Sequence, residues 1–161
     1  MANIEKYRPN VGIVLFNKDG DIWFGKRADI KSKSAWQMPQ GGIDINEPSL
    51  KAAIRELYEE TGIKSIKHIS LINKWIKYKL PINIARNKWQ GKYVGQMQKW
   101  YLFYFFGEDS EVNINISKSP EFSEWKWENS RYIEENVTYF RKSIYRTVFK
   151  KFDVDIKKAL N

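Results

Sequence analysis

Within the stretch Gly41–Ile63 two patterns share one helix. From about Pro48, the residues Leu50, Ala53, Ile54 and Leu57 recur at i, i+3, i+4 and i+7, the spacing of a single apolar helix face. Proline stands in the first turn and Gly62 is placed to close the last one as a left-handed cap. Over the same turns Glu56, Glu59 and Glu60 fall within an arc of about 100°, largely away from the apolar stripe. Like charges so placed cost a few tenths of a kcal/mol per pair, roughly. Such a helix needs an apolar surface to lie on and something to absorb the repulsion. Solvent does this for an ordinary acidic face; a hard, oxygen-seeking cation such as Mg²⁺ does it directly. Arg55 is spaced to pair with Glu47 or Glu59 and hold the carboxylates in position.

The rest of the chain supplies the surface. Val11–Phe16 reads as a buried strand, and Lys18-Asp19-Gly20-Asp21 as a turn into a second strand at Ile22–Gly25. Lys31–Ser34 reads as a polar loop and Trp36–Pro39 as a short extended piece. Strands are expected at Ile66–Ile76, Gln98–Phe106 and near Phe122–Trp127, with a basic loop from Leu80 to Gly95. A last helix over about Tyr139–Ile156 buries Ile144, Tyr145, Val148, Phe149 and Phe152, leaving Lys142, Arg146 and Lys150 outside. This order predicts an α/β (α+β) architecture, a mixed sheet flanked by helices. With 161 residues and no dividing linker, one domain spanning residues 1–161 is expected.

Composition narrows the chemistry. Cysteine is absent, which removes thiol catalysis, disulfide scaffolds and cysteine zinc sites. The single histidine, His68, excludes multi-histidine metal sites and reads as a surface or strand-edge residue. Hydrolysis, if it occurs, has to run on carboxylates. The longest apolar run, Trp100–Phe106, is too short for a membrane span, and the first residues carry no secretory pattern, so a cytoplasmic protein is expected. The formal net charge is +9. Its distribution matters more than its size: between Thr61 and Gly107 nine Lys and Arg occur without one Asp or Glu. Gly41–Ile63, by contrast, holds five acids against two bases. An acidic island in a basic chain suits a site that holds divalent cations and receives a polyanion.

The string Gly41-x5-Glu47-x7-Arg55-Glu56-Leu57-Tyr58-Glu59-Glu60-Thr61-Gly62-Ile63 resembles the Nudix box at every specified position. Flanking motifs, among them Tyr7-Arg8-Pro9-Asn10-Val11-Gly12, Trp36–Asp44, Tyr78-Lys79-Leu80-Pro81, Gly95–Trp100 and Pro120-Glu121-Phe122, look like those of bacterial RNA pyrophosphohydrolases. They look equally like those of the related asymmetric diadenosine polyphosphate hydrolases. The resemblance runs from Tyr7 to about Lys150. It implies a Nudix fold, an α/β/α sandwich, and metal-dependent cleavage of a phosphoanhydride with Mg²⁺ or Mn²⁺. The substrate it implies is a 5′-triphosphorylated RNA, left as a monophosphate for decay, or alternatively a dinucleoside polyphosphate. A catalytically silent module that only binds RNA or nucleotide is the third reading, disfavoured because every box carboxylate is present.

Carried onto this chain, the resemblance makes Glu56 and Glu60 metal ligands, Glu59 a ligand or water-activating base, and the Gly41 carbonyl a further ligand. Arg55 becomes the residue that orders the cluster, and Glu121 the metal-site glutamate outside the box. Arg8, Arg27, Tyr78, Lys79 and Gln96 match positions that contact phosphates or the terminal nucleotide. Phe140-Arg141 matches a pair that stacks on and clamps a base, although Phe140 also lies in register with the apolar stripe of the last helix. The loop Asp29–Ala35 is longer than the family pattern, so no contact is carried onto Ser34.

Overall fold

The computed structural model describes residues 6–30 and 35–161. The N-terminal residues 1–5 and the polar loop Lys31–Ser34, Ser34 included, lie outside the described residues. The sheet is built around β1 (Tyr7–Phe16), whose residues Val11 and Ile13–Phe16 are wholly buried because both faces are covered. A turn on Asn17, whose side chain accepts the N–H groups of Asp19 and Asp21, leads into β2 (Ile22–Arg27). The short β3 (Trp36–Gln37) pairs with β2, and β4 (Gln40–Gly42) lies antiparallel to Asn10–Gly12 of β1. Helix α1 (Ser49–Thr61) follows, then β5 (Ile66–Lys79), α2 (Ile82–Trp89) and β6 (Gly95–Phe105). β6 runs parallel to β1, β5 is its antiparallel outer neighbour, and β7 (Phe122–Glu128) returns beside β2. The chain ends in α3 (Ser130–Asn136) and α4 (Tyr139–Leu160).

Alternation along the central strands sends side chains to two cores. Val11, Ile13 and Leu15, with Tyr101, Phe103 and Phe105 of β6, meet Ala52, Ala53 and Leu57 of α1. Val14 and Phe16, with Trp100 and Leu102, meet Ile144, Tyr145, Val148, Phe149 and Phe152 of α4. The result is the expected mixed sheet between helical layers. His68 is exposed on β5, at the end of the strand order, as the sequence suggested. No helix among the described residues is long and apolar enough to cross a membrane.

Four local expectations need correction. Leu80–Gly95 is not a loop throughout: Pro81 starts α2, which Gln90 (φ 53°) and Gly91 (φ 77°) end. The helix was hidden because it is short and buries a single residue, Ala85. Helix α3 was also hidden, for it buries Ile133 alone; Asn129 caps it by accepting the Tyr132 N–H at 2.8 Å. Strand β5 continues to Lys79, with register shifts at His68/Ser70 and Ile72/Ile76 that break its simple alternation. On α1, Ile54 is 44% exposed and Ala52 is buried in its place, because the helix docks on its small alanines.

Gly62 ends α1 at φ 73°, its N–H bonded to the Tyr58 carbonyl at 2.8 Å. A Cβ there would also approach Ile116 Cδ1 to 2.9 Å. Gly62→Ala is therefore expected to cost at least about 1–2 kcal/mol, read as a lowered midpoint in thermal or urea unfolding; an unchanged midpoint would mean the cap is not needed.

Candidate active site

Arg55 organises the acidic end of α1. Its Nε and Nη2 grip Glu47 bidentately at 2.8 and 2.9 Å, and Nη2 also donates to the Gly42 carbonyl at 2.9 Å. Nη1 donates to Glu56 at 3.0 Å and to Glu59 at 3.2 Å. The sequence left the partner open between Glu47 and Glu59; the guanidinium takes both, and Glu56 as well. Glu47 in turn accepts the Asp44 N–H at 3.0 Å. The Arg55 fork and that N–H hold the Glu47 carboxyl down at about 2. A planar, permanently charged fork thus ties the loop before α1 to the helix itself.

Of the three carboxylates on the arc away from the apolar stripe, Glu60 is the buried one. It is 7% exposed, close to the backbone of Gln40 on β4 and to the Glu56 carboxyl. Burial raises its pKa well above the usual carboxylate range, and the charges of Glu121 and Glu56 push in the same direction. Burial raises Glu56 too, with Arg55 opposing. Gly41 is what lets β4 approach: a Cβ there would overlap the Glu56 carboxyl. Glu121 is brought in by the pairing of β7 with β2, its carbonyl accepting the Ala28 N–H at 2.9 Å. Glu59 stays half out in solvent, 51% exposed at its side chain.

Among the described residues no three acids or histidines are gathered as a ready-made metal cage. Glu56 leans to Arg55, and Glu60 is buried beside it. The donor set nevertheless fits a hard divalent cation. It consists of carboxylate oxygens, it is crowded with like charge, and Glu60 Oε2 is buried without a partner.

A cavity of about 430 Å³ opens beside this cluster, between the end of β2, α2 and the start of α4. Arg27, Phe140 and Arg141 line it. Arg27 is held by Asp29 at 2.7 and 3.0 Å. Arg141 is 5% exposed and lies over the Phe140 ring at 4.7 Å. It donates to Thr138 Oγ1 at 3.1 Å, has an unpartnered Nε, and makes no ion pair among the described residues. Phe140, left between core and site by the sequence, is half-buried, packs on the α4-side core and also lines the cavity. Tyr78, Gln96 and Arg8 are cross-strand neighbours on β5, β6 and β1, with the Tyr78 hydroxyl and both Gln96 amide atoms buried and unpartnered. The Arg8 guanidinium lies against Gly42. Lys79 does not join them: it alternates to the other face of β5 and borders a separate hollow with Ile82 and Arg86.

Sequence reasoning missed several participants. Gln98 donates to Asn10 at 2.7 Å and to Gln40 at 3.3 Å, forming a buried polar row behind the strand that supports Glu60. Gln37 is 1% exposed, lines the cavity and has an unpartnered Oε1. The polar alternation Gln96-x-Gln98 in an otherwise apolar strand was the available signal. Lys88 was concealed with α2. Trp89, assigned to a basic loop, instead packs partly on the α4-side core and meets Tyr93 edge-on at 5.8 Å.

Comparison with known proteins bears on this geometry. Residues 6–148 match the model of the NUDIX domain. The chain is 46% identical over 156 residues to an RNA pyrophosphohydrolase of Wolbachia sp. subsp. Brugia malayi (strain TRS), covering 97% of this chain and 96% of that protein. It is also 46% identical over 154 residues to the RNA pyrophosphohydrolase of Pelagibacter ubique, covering 96% and 94%. Among solved structures, the dihydroneopterin triphosphate pyrophosphohydrolase of E. coli superposes with a TM-score of 0.69 at 15% identity, over 90% of this chain and 97% of that one. An Ap4A hydrolase binary complex from C. elegans gives 0.63 at 20% identity, over 90% and 98%. At these identities the two structures speak for the fold alone.

The buried Glu60 carboxyl sets a pH-dependent expectation for the metal-free protein. Because its folded pKa is raised, its contribution to stability is lost as pH rises from the unfolded value toward the folded one. Glu60→Gln should therefore raise the melting temperature of metal-free protein near pH 8. The gain should shrink as pH falls toward the ordinary carboxylate range. A variant destabilised equally near pH 8 and in that range would contradict this.

Proposed function

The chain belongs to the Nudix family of hydrolases, and on that premise we propose that it removes pyrophosphate from the 5′-triphosphate end of RNA, leaving a 5′-monophosphate. The observation that carries this reading is the juxtaposition of a crowded carboxylate cluster with a cavity whose most buried cation, Arg141, has no carboxylate partner among the described residues. A substrate bearing several phosphates and a base complements both halves. The near-full-length likeness to RNA pyrophosphohydrolases supports RNA over a dinucleoside polyphosphate. One hydrolase domain over residues 1–161, acting in the cytoplasm, completes the proposal.

Nudix hydrolases depend in general on divalent metal ions. We assign Glu56, Glu60, Glu121 and the Gly41 carbonyl to hold the ion here, Mg²⁺ first and Mn²⁺ as a substitute. Bound there, it would neutralise phosphate charge and lower the pKa of water. Arg55 keeps Glu56 and Glu59 at fixed positions by holding them to Glu47 and the Gly42 carbonyl. Glu59, exposed at the edge of the cluster, is the carboxylate placed to take the proton from the attacking water. The water oxygen bonds to phosphorus, the bridging P–O bond between the α- and β-phosphates breaks, and pyrophosphate leaves. Arg8, Arg27 and Arg141 supply positive charge to the phosphates, Phe140 offers a ring face to a base, and Tyr78 and Gln96 offer unpartnered polar atoms. Lys79, on the opposite face of β5, serves RNA that passes outside the cavity.

Two measurements test this. Turnover of 5′-triphosphorylated RNA should exceed that of diadenosine tetraphosphate by the same preparation; the reverse order would favour the dinucleotide, and no turnover of either a silent module. Glu56→Gln and Glu60→Gln should each lower turnover by at least ~10²-fold at saturating Mg²⁺, the scale of a positioned catalytic group. Near-wild-type rates in both would remove these residues from the site.

A further inference from the structure

Three cations from three elements enter the cavity: Arg27 from β2, Lys88 from α2 and Arg141 from α4. Arg27 is neutralised by Asp29. Arg141 has no ion pair among the described residues, and neither has Lys88, whose ammonium lies 5.6 Å from the Trp89 ring. Arg8 adds further positive charge from β1, and Glu121 and Asp29 are acids that act on Lys88. Lys88 stands exposed at the cavity's rim, where nearby protein and the charges of Arg27, Arg141 and Arg8 lower its ammonium to about 8. The free protein gains nothing from gathering these charges. An anion seated among them would gain from each.

The site's layout says which anion. Glu121 adjoins the cavity, its carbonyl accepting the N–H of Ala28 between the lining residues Arg27 and Asp29, and its charge acts on both Glu60 and Lys88. Terminal phosphates are drawn to the carboxylate cluster. In the cavity lie Lys88, Arg141 and the Phe140 ring, a pairing of positive charge with a stacking surface. A group that is anionic, next to a base, and beyond the terminal phosphates is the phosphodiester that joins two nucleotides. We infer that Lys88 is a substrate-binding residue which, with Arg141, takes the phosphodiester between the first and second nucleotides of the RNA. This rests on the reading of the substrate as a 5′-triphosphorylated RNA. It also gives that reading a means of discrimination, since neither a nucleoside triphosphate nor a dinucleoside polyphosphate has such a group.

The test compares wild type with Lys88→Met and Lys88→Arg on a triphosphorylated dinucleotide and on the matching nucleoside triphosphate. For Lys88→Met, KM for the dinucleotide should rise about tenfold with kcat within about twofold, the loss expected of one charge-assisted contact. KM for the nucleoside triphosphate should not change, Lys88→Arg should restore the dinucleotide, and the melting temperature should hold or rise. An equal KM rise on both substrates would overturn the inference by moving Lys88 to the terminal phosphates. No change on either, or a fall in kcat that follows a fall in melting temperature, would overturn it as well. Equilibrium binding of the 5′-monophosphorylated dinucleotide separates the two readings. Binding weakened by Lys88→Met in a protein that does not cleave triphosphorylated RNA would refute the proposed function alone. Cleavage of that RNA with binding untouched by Lys88→Met would refute this inference alone.

Discussion

Burying the Glu60 carboxyl is the constraint on which the site depends. A carboxylate with 7% exposure beside two others is costly in a folded protein, and the surrounding structure answers that cost in several places. The Gln40 backbone favours the charged form from one side, which requires β4 to pair with β1, and Gly41 leaves room beside it for the Glu56 carboxyl. Gln98 and Asn10 support Gln40 from behind. What remains unanswered is the negative charge itself, and one buried oxygen without a partner. A hard cation would discharge both. The local instability of the free cluster and the chemistry assigned to it are then the same fact.

Arg55 and Arg141 show opposite uses of one side chain. Arg55 is saturated by carboxylates and a carbonyl, so it fixes geometry and has little left to offer a ligand. Arg141 is more deeply buried yet unpaired, so its charge is available. The sheet decides which is which: α1 brings Arg55 against the loop that carries Glu47, whereas α4 brings Arg141 over the far face, where Phe140 covers it and the acids do not reach.

The sequence revealed those parts whose signals are local. The α1 helix, its Gly62 cap, the buried strand Val11–Phe16 and the α4 stripe follow from periodicity and caps, and each is found. The cluster Arg55, Glu56, Glu59 and Glu60 was legible as a spacing. That Glu60 faces inward was not, because the helical arc alone does not reveal that β4 passes over one edge of it. Helix α2 escaped because eight residues with one buried side chain leave no period to read, and Lys88 escaped with it. The family pattern implies a substrate contact for both Tyr78 and Lys79, but that pattern does not show that successive strand residues point to opposite faces, so that Tyr78 pairs with Gln96 while Lys79 borders a separate hollow. Gln37 depends on tertiary packing alone.

Burial favours the protonated form of Glu60, and a divalent cation bound at the cluster would compete with that proton for the carboxylate. Calorimetric titration of the protein with Mg²⁺ near neutral pH, in buffers of different ionisation enthalpy, counts the protons released per ion bound. Net proton release is expected in the wild type and a smaller release in Glu60→Gln. Binding of Mg²⁺ at this site with no proton released by the wild-type protein would contradict this expectation.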